Sequence, residues 1–254
     1  MISIRGLRKD FGAMAAVDGL SLEIETGCVF GFLGRNGAGK TTTIRMMMGL
    51  TEPSAGTVLL GGHDIRTDAE AAKSITGYLP DHPYLYDKLT GTEMLGFVGG
   101  LYGITRPERD ERARSLLEDF ALTERAGELT ETYSHGMKQR LALAAALIHR
   151  PSVLVLDEPM VGLDPQGAHD FRRLLSRLAA EGVTVFLSTH SLAVAEELAT
   201  RIGVLDRGRL IALGTLAELR ARAAETTTRP GGPEGVVSLE DLFLELVGAA
   251  EGQW

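Results

Sequence analysis

Nine residues, Gly34 to Thr42, read GRNGAGKTT and follow directly on the apolar run CVFGFL. They fit the pattern G-x-x-x-x-G-K-[ST] in its required context, with a strand-like run before and the helical stretch IRMMMGL after. Gly34, Gly37 and Gly39 let the backbone turn tightly, so that successive amide N–H groups point at one anion. The N-terminus of the following helix adds partial positive charge. Lys40 can bridge the β- and γ-phosphates of a nucleotide, and the Thr41 hydroxyl can ligate Mg²⁺. Arg35, Asn36, Ala38 and Thr42 complete the candidate nucleotide-binding loop.

The rest of the chain supplies the sheet that such a loop needs. Strand-like runs lie at 3–7, 20–24, 28–33, 57–60, 75–79, 153–156, 183–188, 202–205 and 210–213, alternating with helical stretches. VLVL and VTVFLS are apolar at nearly every position, as expected of strands covered on both faces. The opening strands alternate more, which predicts a smaller antiparallel sheet at one edge. Between 83 and 150 there is no strand signal. Apolar residues recur there at three- and four-residue spacing over 111–120 and 137–148, which predicts an inserted helical subdomain. The main domain is expected over 1–222. A linker rich in Thr, Gly and Pro follows at 224–235, then an amphipathic helix over 238–247.

A second acidic site comes from VLVLDEP, 153–159. Its two acids end a buried strand, at the edge where open α/β sheets bind ligands. Asp157 is then the metal-side acid and Glu158 a general base for an attacking water. No N-K-x-D guanine motif is present, which disfavours GTP. With 26 basic against 34 acidic residues, a net charge of −8, there is no basic footprint for nucleic acid or anionic lipid. The single cysteine, Cys28, cannot form an internal disulfide, which suits a reducing compartment. The opening MISIRGLRKDF has no long apolar stretch of the secretory kind. The longest apolar run, Leu141 to Ile148, is eight residues, against the roughly 20 needed to span a bilayer.

The ordered set of phosphate loop, YLPD (78–81), YSHGMKQR (133–140), VLVLDEP, GLDP (162–165) and STH (188–190) resembles the ATP-binding cassette ATPases over residues 1 to about 222. The resemblance implies a P-loop NTPase (RecA-like) α/β fold, ATP and Mg²⁺ as ligands, and two cassettes facing each other head to tail. In such a pair the signature segment of one copy completes the site of the other. Ser134, His135 and Gly136 would supply that trans contact, and Asp164 would link the two sites. Phe11 matches the ring that stacks on adenine, with Val17 packed nearby. His190 matches the switch histidine beside the γ-phosphate.

Two positions depart from the family pattern. Asp81 stands where glutamine is usual and is expected to ligate the metal, directly or through water. His135 replaces a signature glycine, so either its backbone is unstrained or its imidazole adds a donor. The leading expectation is the ATPase subunit of a membrane transporter, most like those paired with export-type permeases. Its partners would be a separate permease chain and a second cassette, identical or paralogous, with no nucleic acid. Its place would be cytoplasmic, held at the inner face of the membrane. Tyr84 and Tyr86 are candidates to line the permease contact or to pack the helical subdomain. A soluble cassette acting on ribosomes or DNA, and a catalytically weak regulatory cassette, are the other readings. A single cassette with no coiled coil opposes the first, and intact Lys40, Glu158 and His190 oppose the second.

Overall fold

Burial on both faces organises the central sheet, and the chain reaches it in a fixed order of elements. These are β1 (Ile2–Phe11), β2 (Met14–Ile24), β3 (Val29–Leu33), α1 (Lys40–Met47), β4 (Ala55–Leu60), β5 (His63–Asp64), α2 (Ala69–Ser74) and β6 (Thr76–Leu79). Helices α3 (Gly91–Leu101), α4 (Arg106–Asp119) and α5 (His135–Leu147) follow. The chain then forms β7 (Val153–Asp157), α6 (Pro165–Ala180), β8 (Thr184–Thr189), α7 (Leu192–Leu198), β9 (Arg201–Asp206), β10 (Arg209–Gly214) and α8 (Leu216–Thr226). The computed structural model describes residues 1–160 and 165–226. Asp164 and the helix expected over 238–247 lie outside the described residues.

Six strands form one sheet in the order β10-β9-β3-β8-β7-β6, parallel except for the edge pair β10/β9. Val153 and Val155 of β7 face one hydrophobic cluster, while Leu154 and Leu156 face another, so every residue of the strand is buried. In β3 and β8 the first cluster holds Phe30, Phe32 and Phe186, whose ring centroids lie 5.1 to 6.4 Å apart. Tilted ring pairs of this kind add to the burial term of a core.

The small antiparallel sheet, β2-β1-β4-β5, is a separate layer and not an edge of the main sheet. Its inward side chains, among them Ile2, Ile4, Leu20, Leu22 and Val58, share a cluster with α1 and the phenylalanine face. Alternating strands have one apolar face to hide, and stacking over α1 buries it. That layer clamps the helix that follows the phosphate loop.

Helices α3 to α5 fill the stretch between β6 and β7. Thr90 and Glu93 form a reciprocal cap at the start of α3, with bonds of 2.9 and 3.2 Å. Helix α4 begins before the expected 111, because Arg106-Pro107 opens it from Thr105 without any apolar period to read. Helix α5 begins at His135, two residues before the expected 137. The cause is Ser134, whose hydroxyl accepts the Met137 N–H at 3.3 Å as an N-cap.

His149, just past α5, stacks on Tyr102 with centroids 3.7 Å apart and planes 4° from parallel. Burial, with a smaller contribution from the nearby Arg112 charge, pushes its pKa down from 6.5 to about 4. The unfolded chain therefore binds the extra proton first as pH falls. The stability held by neutral His149 is complete above pH 6.5 and is lost towards pH 4. Discounted for partial exposure, the loss is on the order of 1–2 kcal/mol. His149→Phe, which keeps the stack, should flatten the acid limb of melting temperature against pH between those limits.

Candidate functional site

The carboxyl ends of three adjacent strands converge on one place. β3 runs into the phosphate loop, β7 ends at Asp157, and β8 ends at Thr189 just before His190. The parallel register sets Leu33 beside Thr189 and Asp157 beside Ser188. In an open parallel sheet this is where a ligand binds.

The loop geometry admits little but glycine at two positions. Gly39 has φ +109, and a Cβ there would stand 2.4 Å from the Ala16 carbonyl oxygen of β2. A Cβ at Gly34 would meet the Leu205 carbonyl oxygen at 2.6 Å. The loop is thus pressed between β2 and the end of β9, leaving Arg35, Asn36 and Gly37 exposed at its crest. Ala38 is buried, and its carbonyl accepts the Gly208 N–H at 2.9 Å. Thr41 and Thr42 open α1 with their side chains at or near the surface.

Lys40 is only 6% exposed. Its Nζ donates to the Gly34 carbonyl at 2.7 Å and stands 3.4 Å from Glu158 Oε1. The other Glu158 oxygen lies 2.9 Å from His190 Nδ1. The three residues expected to handle the γ-phosphate and its attacking water are therefore in contact. Asp157 is 1% exposed and takes a 2.5 Å bond from the Ser188 hydroxyl. Burial raises its pKa first and foremost; hydrogen bonds from Ser188 and Thr41 oppose the rise, and the Asp81 and Glu158 charges add to it. Burial, followed by the Asp157 charge, pushes neighbouring Tyr78 up to about 12. Thr41 and Asp157 thus offer hydroxyl and carboxylate oxygens side by side, the hard donors that magnesium takes. Among the described residues no group of three or more His, Cys, Asp or Glu forms a self-sufficient metal cage.

The remaining candidates fall into distinct places. Phe11 ends β1 half-exposed, with the Lys9 ammonium 5.2 Å from its ring centroid. Val17 is fully buried beside Gly39, so it backs the loop and offers no surface to a base. Asp81 sits within electrostatic reach of Asp157 and pairs with His82 at 3.0 Å, a partner the sequence does not single out. Ser134 and His135 are exposed at the start of α5, and no side chain would be obstructed at Gly136. His135 is helical and absent from the positive-φ residues, so its place in the signature carries no backbone strain. Apart from the Met137 N–H that Ser134 accepts, the first amides of α5 lie at an exposed helix N-terminus, the kind of end that favours a negative charge.

Sequence reasoning gives no role to Ser188 or Gln139, although the motifs STH and YSHGMKQR contain them. Ser188 is fully buried; its hydroxyl donates to Asp157 and accepts the Glu158 N–H at 3.2 Å, setting both acids. A lone serine closing the apolar run VTVFL is the signal that could have found it. Gln139 looks like any polar residue of a helix surface, yet it is 4% exposed.

A glycine-walled anion loop between a buried strand and a helix, with two acids at the end of the strand next but one in the sheet, defines a P-loop nucleoside triphosphatase. A family model described as ABC transporter matches residues 17–161. The chain is 40% identical over 227 residues to the linearmycin resistance ATP-binding protein LnrL of Bacillus subtilis (strain 168), covering 89% of this chain and 73% of that one. It is 42% identical over 219 residues to Nod factor export ATP-binding protein I of Ralstonia nicotianae, covering 86% and 68%. A solved structure of the ATP binding subunit of an ABC transporter superposes with a TM-score of 0.87 at 30% identity, over 97% of this chain and 99% of that one. A dimeric ATP-binding cassette in a post-hydrolysis state, bound to ADP and Pi, superposes at 0.77 with 26% identity, over 85% and 99%. The chain belongs to the ABC transporter family and is an ATP-hydrolysing subunit of it. Among the described residues no helix is long and apolar enough to cross a membrane.

Proposed function

We propose that this chain powers an export-type ABC transporter whose membrane helices lie on a separate permease, and that it works as one half of a head-to-tail ATPase pair. The contact of Lys40 and His190 with the two oxygens of Glu158 is the observation that carries the ATPase half of this reading. The relatives named for drug resistance and Nod factor export support the transport half.

The loop amides and Lys40 hold the β- and γ-phosphates, and the Phe11 ring stacks on adenine. Thr41 and Asp157 would hold Mg²⁺, assisted by Asp81. When bound, that ion neutralises charge on the phosphate oxygens. Glu158 accepts a proton from water as the water oxygen bonds to the γ-phosphorus and the bond to ADP breaks, leaving ADP and inorganic phosphate. His190 fixes the Glu158 carboxylate and faces the γ-phosphate. Ser134 and the helix N-terminus behind it cap the phosphate in the partner's site. Binding then closes the pair and hydrolysis reopens it, a two-state element that pushes on the permease. The pair sits on the cytoplasmic face of the membrane, held there by the permease.

Asp81 tests the metal assignment. Asp81→Asn should raise the magnesium concentration needed for half-maximal hydrolysis several-fold, since one anionic oxygen ligand is lost. Unchanged magnesium dependence and turnover would remove Asp81 from the metal site.

The permease contact is assigned to an exposed aromatic ridge. Tyr84, Tyr86 and Phe97 form a chain of edge-to-face pairs at 5.9 and 5.3 Å, and they are 80%, 48% and 42% exposed. Rigid exposed rings in one group are what a docking partner covers. Phe97→Arg should leave ATP hydrolysis by the isolated chain intact while releasing it from membranes that contain the permease. Retention on those membranes would place the contact elsewhere.

A further inference from the structure

Glu158 has φ +48, in the left-handed region that a side chain with a Cβ occupies only when its surroundings hold it there. That conformation turns the chain sharply at the end of β7. One side of the turn is held by Ser188, whose carbonyl and hydroxyl oxygens each accept the Glu158 N–H at 3.2 Å. The other side is held from a different element. Gln139 of α5 donates from Nε2 to the Pro159 carbonyl oxygen at 2.7 Å, and this bond is buried. A primary amide buried in mid-helix is unfavourable unless bonded, and so is a buried carbonyl without a donor, so each group satisfies the other.

We propose that Gln139 is a positioning residue for hydrolysis, a strut from α5 that keeps the Glu158 turn in its strained conformation and its carboxylate against Lys40 and His190. The same helix starts at Ser134, so one rigid element both caps the neighbouring site and braces the base of its own. The inference rests on the roles given above to Ser134 and Glu158.

Mixed dimers separate this role from a merely structural one. The reference dimer pairs a wild-type chain with a Glu158→Gln chain, leaving one site able to hydrolyse ATP in a single turnover. Gln139→Met, which keeps the volume and removes the donor, is then placed on one chain or the other. On the chain with intact Glu158 it should slow hydrolysis on the order of 10- to 100-fold, with ATP affinity unchanged. On the Glu158→Gln chain, whose signature helix serves the intact site, it should have little effect. Equal losses in both arrangements, or a loss only in the second, would overturn the proposal. If the reference dimer itself fails to assemble or hydrolyse, the shared-site reading falls instead. Hydrogen exchange at the Glu158 amide in the unmixed chain then decides the strut. Gln139→Met should speed that exchange, and an unchanged rate would refute the role.

Discussion

Glu158→Gln is expected to lower ATP turnover about 10²- to 10⁴-fold, the range general-base catalysis supplies, while leaving nucleotide affinity almost intact. The amide is isosteric with the carboxylate and can still meet His190, so the fold and the loop should not move. It cannot take a proton from water. A chain that binds ATP but does not cleave it accumulates in the closed state, so a stable ATP-dependent dimer should appear on gel filtration. The same variant without nucleotide should run as the unliganded chain does. Turnover within a fewfold of wild type would mean that another group accepts the proton. A slow variant that stays monomeric with ATP would break the link between nucleotide and pairing.

Lys40→Ala should fail at an earlier stage. Its ammonium is buried and bonded to the Gly34 carbonyl, which places a cation against the start of the loop. Removing a preorganised donor from such a site costs on the order of 10²- to 10³-fold in turnover, and in the proposed mechanism the same cation also holds the ground-state phosphates. Both ATP affinity and kcat should therefore collapse, and ATP should no longer raise the melting temperature. The contrast with Glu158→Gln is the informative part: one variant binds and does not cleave, the other does neither. Loss of Lys40 also leaves Glu158 without its partner at 3.4 Å, so measuring stability without nucleotide separates a local defect from unfolding.

Strands such as β7 were legible because a run that is apolar at every residue can only be covered on both faces, and the clusters on either side of Val153–Asp157 bear that out. The phosphate loop was legible because its glycines answer to backbone geometry: Gly39 has a positive φ, and the Ala16 carbonyl leaves no room for a Cβ. The place of the small sheet was not legible, since alternation says that one face is buried but not against what. Two-residue β5 is too short for any period to register. Val17 shows the limit of position-matching: matched to the adenine side, it is fully buried under the loop. Ser134, matched to the contact across the pair, is also the N-cap that sets the first turn of α5 earlier than the apolar spacing suggests. Gln139 and Ser188 were hidden for a common reason. Their weight comes from partners 20 and 31 residues away, the Pro159 carbonyl and the Asp157 carboxylate, and local sequence says nothing of either.

The shared site is tested most directly by complementation between two dead chains. Lys40→Ala keeps Ser134 but loses its loop; Ser134→Arg keeps its loop but blocks the cap. Each alone should be nearly inactive. Mixed in equal amounts, they form dimers in which the intact loop of one chain faces the intact Ser134 of the other, with roughly a quarter of all sites complete. ATP hydrolysis should return on mixing and rise with protein concentration. A mixture as inactive as its components, or a Ser134→Arg chain that hydrolyses normally by itself, would contradict a site built from two chains.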